Sequence, residues 1–459
     1  MLKGQSNILT TTESVCPDCL RRIPAFRVAY DDRIYLEKTC PEHGFFRVLI
    51  WQGKPAYSSW SRPKIPSQPV NCATTVKEGC PFDCGLCPEH RQHSCCVLLE
   101  VTQRCNLNCP VCFAATGDSS DPDPGLEKIK DWYQMLMNSG GPFNIQLSGG
   151  EPTLRHDLPK IVALGKSMGF TFIQVNTNGL RLADDAQYVR QLNQEGLDCV
   201  FLQFDGTEDA IYTKLRGRPM LSDKIRAIAR CREFDLGVIL VPTLVPGVNF
   251  DDIGSILRFA IENMPVVRGV HFQPISYFGR YDRISVEAER ITIPAVLQAI
   301  EHQTGGLMKV ANFHPPGGEN AYCSFNGNFL LMPDNSLKPL AAEGSDRCCT
   351  PRVAAEGAKQ AREFVAGQWR APDKRGTTVG CNTGVQTTPS ENISSLDDFL
   401  ERVNTYKLAV SGMTFQDAWN LDLERLKECF IHVVSPDSRI IPFCAYNLTG
   451  KKGQTLYRG

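Results

Sequence analysis

Between residues 96 and 275 the chain repeats one pattern: a short apolar run, a stretch of helical period, then the next apolar run. The runs fall at 96–102, 143–148, 170–176, 199–205, 237–244 and 269–275, and the helical stretches at about 124–138, 158–168, 183–195, 221–234 and 251–263. Apolar runs of this length joined through helices predict parallel strands with crossovers, an α/β fold. Sites on such sheets gather at the carboxyl ends of the strands. The polar residues expected there are Asn176, Asn178, Asp205, Thr243, Gln273 and Ser276.

The loop after the first run, Cys105-Asn106-Leu107-Asn108-Cys109-Pro110-Val111-Cys112-Phe113, spaces three cysteines C-x3-C-x2-C. Three thiolates so placed fit three corners of a [4Fe-4S] cube and leave the fourth iron open, whereas structural sites are closed by four ligands. The second run ends in Ser148-Gly149-Gly150-Glu151-Pro152. Glycines there let the backbone approach a ligand, and the carboxylate suits an ammonium partner. A closed zinc or iron site is the alternative for the triad taken alone.

Triad and turn together resemble the radical S-adenosylmethionine (SAM) superfamily. The resemblance implies a partial (βα)6 barrel and a catalytic cluster on Cys105, Cys109 and Cys112 whose open iron chelates SAM. It also implies that Gly149, Gly150, Glu151 and Pro152 contact the SAM amino group, and that later strand ends, with Asn176, Asn178 and Thr243 as candidates, contact the rest of that cofactor. Asn-Gly and Asp-Gly at strand ends are equally ordinary turn chemistry.

The 459 residues leave room for about three domains, with 49 basic against 50 acidic side chains. That balance gives no support to a nucleic-acid partner. Neither a membrane-length apolar run nor a secretory leader is evident, so a cytoplasmic protein is expected, with peripheral membrane contact left open. Twenty cysteines, nine of them between Cys72 and Cys112, read as metal ligands in a reducing compartment.

Residues 1–60 carry Cys16-Pro17-Asp18-Cys19 and Cys40-Pro41-Glu42-His43, twenty residues apart, around an alternating stretch through Ile34 and Leu36. This is the spacing of a zinc ribbon or a rubredoxin-like site, with one mononuclear Fe or Zn on Cys16, Cys19, Cys40 and His43. His43 serving only its turn is the alternative. A Pro/Ser-rich linker, Trp60 to Pro69, is expected to separate this module from the core.

Within 61–95, Cys80, Cys84 and Cys87 repeat the C-x3-C-x2-C spacing with polar flanks, which suggests an auxiliary cluster. Cys95 is the expected fourth ligand, with Cys96 its neighbour; His90 and His93 read as loop residues near the cluster. Beyond a core at 96–310, the region 311–459 holds Cys323, Cys348, Cys349, Cys381, Cys429 and Cys444. Cys429 and Cys444 bracket a strand-turn-strand pattern, and with Cys323 they are candidates for a second auxiliary cluster; buried free thiols are the plainer reading.

The order of ribbon, GCPFDCGLCPEH, CNLNCPVCFA, SGGEPTLR and DLERLKECFIHVVSPDSRIIPFCAYN resembles the archaeal tetraether lipid synthase family, earlier described as dihydropterin methyltransferases. The resemblance is weakest at about 343–415, which reads as hydrophilic and irregular. It implies cleavage of SAM to a 5'-deoxyadenosyl radical, hydrogen removal from unactivated carbon, carbon–carbon coupling of lipid chains, [4Fe-4S] auxiliary clusters, and a low-potential ferredoxin or flavodoxin as reductant. A radical methylase of a pterin or other small-molecule substrate is the second reading, and a non-catalytic iron-sulfur or zinc protein the third. A long apolar groove would mark the first and a small polar, aromatic pocket the second.

Overall fold

The computed structural model describes residues 6–117, 122–281, 290–340, 351–372 and 395–458. Strands β1 (Ser6–Val15), β2 (Arg22–Tyr30), β3 (Arg33–Cys40) and β4 (Gly44–Gln52) form an antiparallel sheet in chain order. Its turns carry the two ligand pairs. The expected free linker is instead docked. Trp60 is buried and donates from Nε1 to the Ala321 carbonyl at 2.9 Å. Tyr57 stacks on Tyr322 with centroids 4.1 Å apart, and β5 (Lys64–Ile65) pairs with a distant segment.

The six expected strands stand side by side in chain order: β6 (Cys96–Thr102), β7 (Asn144–Gly149), β8 (Ile173–Thr177), β9 (Cys199–Gln203), β10 (Gly237–Val241) with its continuation β11 (Thr243–Leu244), and β12 (Val267–Pro274). All neighbouring pairs among them are parallel. This is the α/β radical SAM fold. Helices α1 (Leu126–Asn138), α2 (Leu158–Ser167), α3 (Leu180–Asp184), α4 (Ala186–Gln194), α5 (Asp209–Arg216), α6 (Leu221–Glu233), α7 (Ile253–Glu262) and α8 (Ile293–Gln303) follow the strands.

Side chains alternate along the strands. Val97, Leu99, Ile145, Leu147, Val175, Leu202, Val238 and Leu240 join the main core with residues such as Ile129, Ile161, Leu192 and Ile256 of the helices. Their neighbours Leu98, Gln146, Gln174, Gln203 and Thr243 line a cavity on the concave face. The helices therefore cover one face of these strands and the cavity lies on the other.

The sheet grows at both edges, at one of them by elements the sequence did not reveal. Strands β13 (Ser324–Leu331), β14 (Leu337–Leu340) and, after the short β15 (Arg352–Val353) that pairs with β5, β16 (Lys407–Met413) extend it beyond β12. Strands β17 (Ile431–Val434) and β18 (Ile440–Pro442) form the expected hairpin and extend it beyond β6. The stretch expected to be irregular contains α9 (Ala354–Trp369) and α10 (Leu396–Thr405) as well as β16. Val365, Ala366 and Trp369 of α9 pack on Phe172, Phe201 and Ile239 across the concave face. A helix rich in Ala, Gly and Gln reads as solvent-facing until its few large residues find that surface.

Candidate active site

The triad loop leaves the carboxyl end of β6 and is fastened from several sides. Cys105 N–H donates to the Gly117 carbonyl at 2.9 Å, Cys112 and Arg280 exchange backbone hydrogen bonds at 2.8 and 2.9 Å, and Arg280 Nε donates to the Cys109 carbonyl at 2.8 Å. Cys105, Cys109 and Cys112 all line the concave cavity. Burial pushes the Cys105 thiol up to about 12, with Glu151 and the two sister thiols adding to the rise. Burial raises Cys109 as well, against the pull of Arg216. Cys105 and Cys109, whose buried thiols resist ionising, stand with Cys112 as a donor set that bound iron relieves, since a coordinated thiol loses its proton outright. The triad therefore fits a cluster.

The Gly-Gly-Glu-Pro turn lies flush against the stem of this loop. A Cβ on Gly149, whose φ is +127°, would sit 2.1 Å from the Thr102 carbonyl oxygen, and one on Gly150 would sit 2.2 Å from that of Arg104. The Gly150 and Glu151 amides donate to the same two carbonyls at 2.9 and 2.8 Å. These glycines thus bring turn and loop stem together, a tighter demand than the expected approach to a ligand.

Glu151 also carries structural hydrogen bonds. Its Oε1 accepts from Thr153 N (3.1 Å), Thr153 Oγ1 (2.6 Å) and Thr177 Oγ1 (2.6 Å), and its Oε2 accepts from Asn178 N (2.7 Å). Three of these donors fall on Oε1 and one on Oε2, so the side chain braces β7 against β8 while Oε2 keeps room for a further partner at the cavity wall. Pro152 opens the single turn Pro152–Leu154.

Asn176, Asn178 and Thr243 all reach the cavity wall. Asn178 also does turn work: Oδ1 accepts from Leu180 N at 3.0 Å and Nδ2 donates to Asn106 Oδ1 of the triad loop at 2.8 Å. Thr243 Oγ1 accepts from Arg216 at 3.2 Å. Asp121 lies outside the described residues; Asp123 pairs with Arg104 at the loop stem.

Two buried cations were not anticipated. Arg216 binds both oxygens of Asp205 and donates to the Val111 carbonyl of the triad loop at 3.0 Å. Lys224 donates to the Asn178 carbonyl and to Gln203 Oε1, and burial holds its ammonium down at about 8. On α5 and α6 these residues read as ordinary basic side chains on amphipathic helices.

The cavity measures about 1260 Å³. One end is walled by the triad and Gly149 to Glu151, and the other by Asn144, Phe172, Phe201 and Trp369 at the amino ends of the strands. From Asn144 to Gly150 is six residues, or roughly 20 Å at the rise of a strand. Near the end of the sixth strand, Phe278 lines the cavity, whereas Phe272 belongs to the outer core.

The other cysteine sets separate in space. Cys16, Cys19, Cys40 and His43 hold their ligand atoms within 4.8 Å of one another, which fits a single zinc or iron ion. His43 Nδ1 lies 3.6 Å from Cys16 Sγ and 3.4 Å from Cys40 Sγ, so it faces the thiols. Burial opposes ionisation of Cys40, but hydrogen bonds from His43 and from the backbone of Glu42 and His43 outweigh it and hold the thiol at about 6.

Cys80, Cys84 and Cys87 line a small cavity of their own. The structure does not bring Cys95 to them: it packs with Met413 and Phe430 on the wall of the large cavity. Register is the reason, because Cys95 and Cys96 are already committed to the start of β6, where both amides donate to the Phe430 carbonyl. Cys323, Cys429 and Cys444 do come together, each raised by burial, with charge repulsion among the thiols adding to the rise for Cys429 and Cys444. The Arg425 guanidinium donates to Cys323 Sγ at 3.4 Å. Cys348, Cys349 and Cys381 lie outside the described residues.

This fold and this donor set are those of a radical SAM enzyme, and residues 99–260 match the Radical SAM superfamily model. Residues 8–52 match the HMPTM N-terminal zinc ribbon domain. The chain is 36% identical to the 7,8-dihydro-6-hydroxymethylpterin dimethyltransferase of Methanocaldococcus jannaschii, over 95% of this chain and 93% of that protein, and it belongs to that family. It is also 25% identical to the GTP 3',8-cyclase of Rhodopirellula baltica over 62% of this chain and 78% of that one. A crystal structure of Streptococcus suis SuiB aligns at 16% identity and a TM-score of 0.39 over 47% of each chain. No described helix is long and apolar enough to cross a membrane.

Proposed function

We propose that this radical SAM enzyme removes hydrogen from an unactivated carbon of a chain-like, lipid-type substrate, so that chains are joined or alkylated at carbon. The observation that carries the reading is the length of the cavity. SAM beside the triad would fill only its upper part, and about 1260 Å³ exceeds the roughly 300–1,000 Å³ of an ordinary ligand pocket. Phe172, Phe201, Phe325, Phe364, Val365 and Trp369 give the lower part an apolar wall suited to methylene groups. An apolar stripe on α10, with Leu396 and Leu400 exposed among the described residues, continues to Val403 on the cavity wall. It is a route from a membrane surface, and it supports peripheral contact with one.

Cys105, Cys109 and Cys112 would hold a [4Fe-4S] cluster, which would supply the electron for reductive cleavage of SAM. The residues' own share is geometric. Arg216, Arg280 and the Gly149–Glu151 turn fix the loop, and the cavity walls would orient one C–H bond toward the cofactor. A low-potential ferredoxin or flavodoxin is the proposed reductant, and Cys323, Cys429 and Cys444 are the proposed ligands of an auxiliary cluster.

One observation favours a pterin-like substrate, the one that the M. jannaschii relative's name states. Gln146, Gln174, Asn176, Gln203 and Gln273 line one wall, and Gln174 Oε1 is buried without a partner among the described residues. A ring carrying N–H groups would satisfy it; a hydrocarbon would not. The test is 5'-deoxyadenosine formation by anaerobically loaded protein given SAM and dithionite, with membrane lipid extract or with a reduced pterin. Stimulation by lipid with transfer of substrate hydrogen into deoxyadenosine supports the first reading. Stimulation by the pterin alone replaces it.

A further inference from the structure

The Cys80–Cys87 loop presents three thiols, and with Cys95 held just before β6 no fourth thiol among the described residues lines the small cavity they share. The small cavity these thiols share is also lined by Asp83, Glu89, His90, Leu426, Lys427 and Pro442. Asp83 is spoken for: Oδ2 accepts from the amides of Lys77, Glu78 and Gly79 at 2.6, 2.7 and 2.8 Å. Glu89 sits 3.9 Å from the Lys427 ammonium. His90 remains.

His90 is 4% exposed, and its backbone N–H donates to the Cys87 carbonyl at 3.0 Å, which folds the turn back over the thiols. Its Nε2 lies 2.9 Å from the Cys429 carbonyl oxygen. A carbonyl only accepts, so Nε2 carries the proton and the neutral ring keeps its lone pair at Nδ1. His432 packs edge-on against the ring, with centroids 5.2 Å apart, and fixes its plane. A histidine that gives one N–H to a backbone carbonyl and shares a small cavity with three thiols has a free ring nitrogen and the setting of a metal ligand.

We propose that His90, through Nδ1, is the fourth ligand of the metal centre on Cys80, Cys84 and Cys87. The inference rests on reading that loop as an iron-sulfur site. It makes the centre closed, so it passes electrons and does not bind substrate, and a neutral imidazole in place of a thiolate sets its reduction potential above that of an all-cysteine cluster.

The experiment uses full-length protein carrying C105A, C109A and C112A, labelled with 15N-histidine, loaded anaerobically with iron and sulfide and then reduced. Expected are an iron-sulfur signal with histidine nitrogen hyperfine coupling, loss of the coupling in His90→Cys with iron and sulfide retained, and a lower midpoint potential in that variant. An iron-sulfur signal without histidine coupling, or a potential unchanged in His90→Cys, overturns the ligand assignment alone. Iron and sulfide unchanged on further replacing Cys80, Cys84 and Cys87 by Ala overturns the iron-sulfur reading of the loop itself.

Discussion

Arg216 holds Asp205 through two hydrogen bonds of 2.7 Å, in a setting where the Asp205 side chain is wholly buried and that of Arg216 is 8% exposed. The same guanidinium reaches the Val111 carbonyl and Thr243, so one ion pair ties the ends of β9 and β11 to the triad loop. Removing one partner leaves a buried charge without compensation, which costs about 3–5 kcal/mol. Asp205→Ala is expected to lose stability on that scale in chemical denaturation and to retain less iron at the triad. A loss below about 1 kcal/mol would show that the pair does not brace the loop.

Gly149→Ala carries two penalties at once, a left-handed backbone that alanine resists and a methyl group driven into the Thr102 carbonyl. The expected cost is at least about 2 kcal/mol. Because the clash falls on the loop stem, iron bound at Cys105, Cys109 and Cys112 should fall while the ribbon metal stays. Equal loss at both sites, measured by metal analysis of each cysteine-to-alanine background, would point to general unfolding instead.

The outer half of the barrel was legible because Val97, Leu99, Ile145 and Leu147 sit in runs whose helices follow in chain order, so local pattern and topology agree. The inner half was not. Gln146 and Gln174 interrupt those runs because they face a cavity, and only the assembled sheet reveals which face that is. The edge strands β13 and β16 pair across a long stretch of chain, which no local signal specifies. Spacing named the cysteine sets well, since ligands on one loop are near in sequence and space alike. It failed for Cys95, whose place just before β6 is set by its hydrogen bond to Phe430, and for Arg216, Lys224 and His90, whose burial is a tertiary fact.

His271 gives the protein an acid limit. It lines the cavity with Nδ1 2.9 Å from Ser411 Oγ, and burial lowers its imidazole from 6.5 to about 4. Below pH about 6.5 the unfolded chain binds a proton that the folded state refuses until about pH 4. Stability therefore falls as pH drops through that window and levels off beneath it, by about 3 kcal/mol for a shift of this size. His271→Gln is expected to flatten the stability profile between pH 6.5 and 4. An unchanged slope would assign the acid sensitivity to other groups.

Adjacent residues of the C-terminal segment fasten the two triad loops separately. Tyr457 Oη accepts from Cys84 N at 2.9 Å and lies 2.7 and 2.6 Å from the carbonyls of Pro81 and Phe82, whereas Arg458 pairs with buried Glu100 of β6 and reaches the Ala114 carbonyl beyond the catalytic triad. Tyr457→Phe leaves the Cys84 amide and two carbonyls without their partner, a cost of about 1–3 kcal/mol. It should shed iron from the Cys80–Cys87 loop and leave SAM cleavage intact. Arg458→Met uncovers the Glu100 carboxylate instead, with a cost of about 3–5 kcal/mol, and should lower SAM cleavage first. Each variant is read by iron content and deoxyadenosine yield together. If both lose the two signals in parallel, the segment holds the loops as one unit and the separation drawn from Tyr457 and Arg458 is wrong.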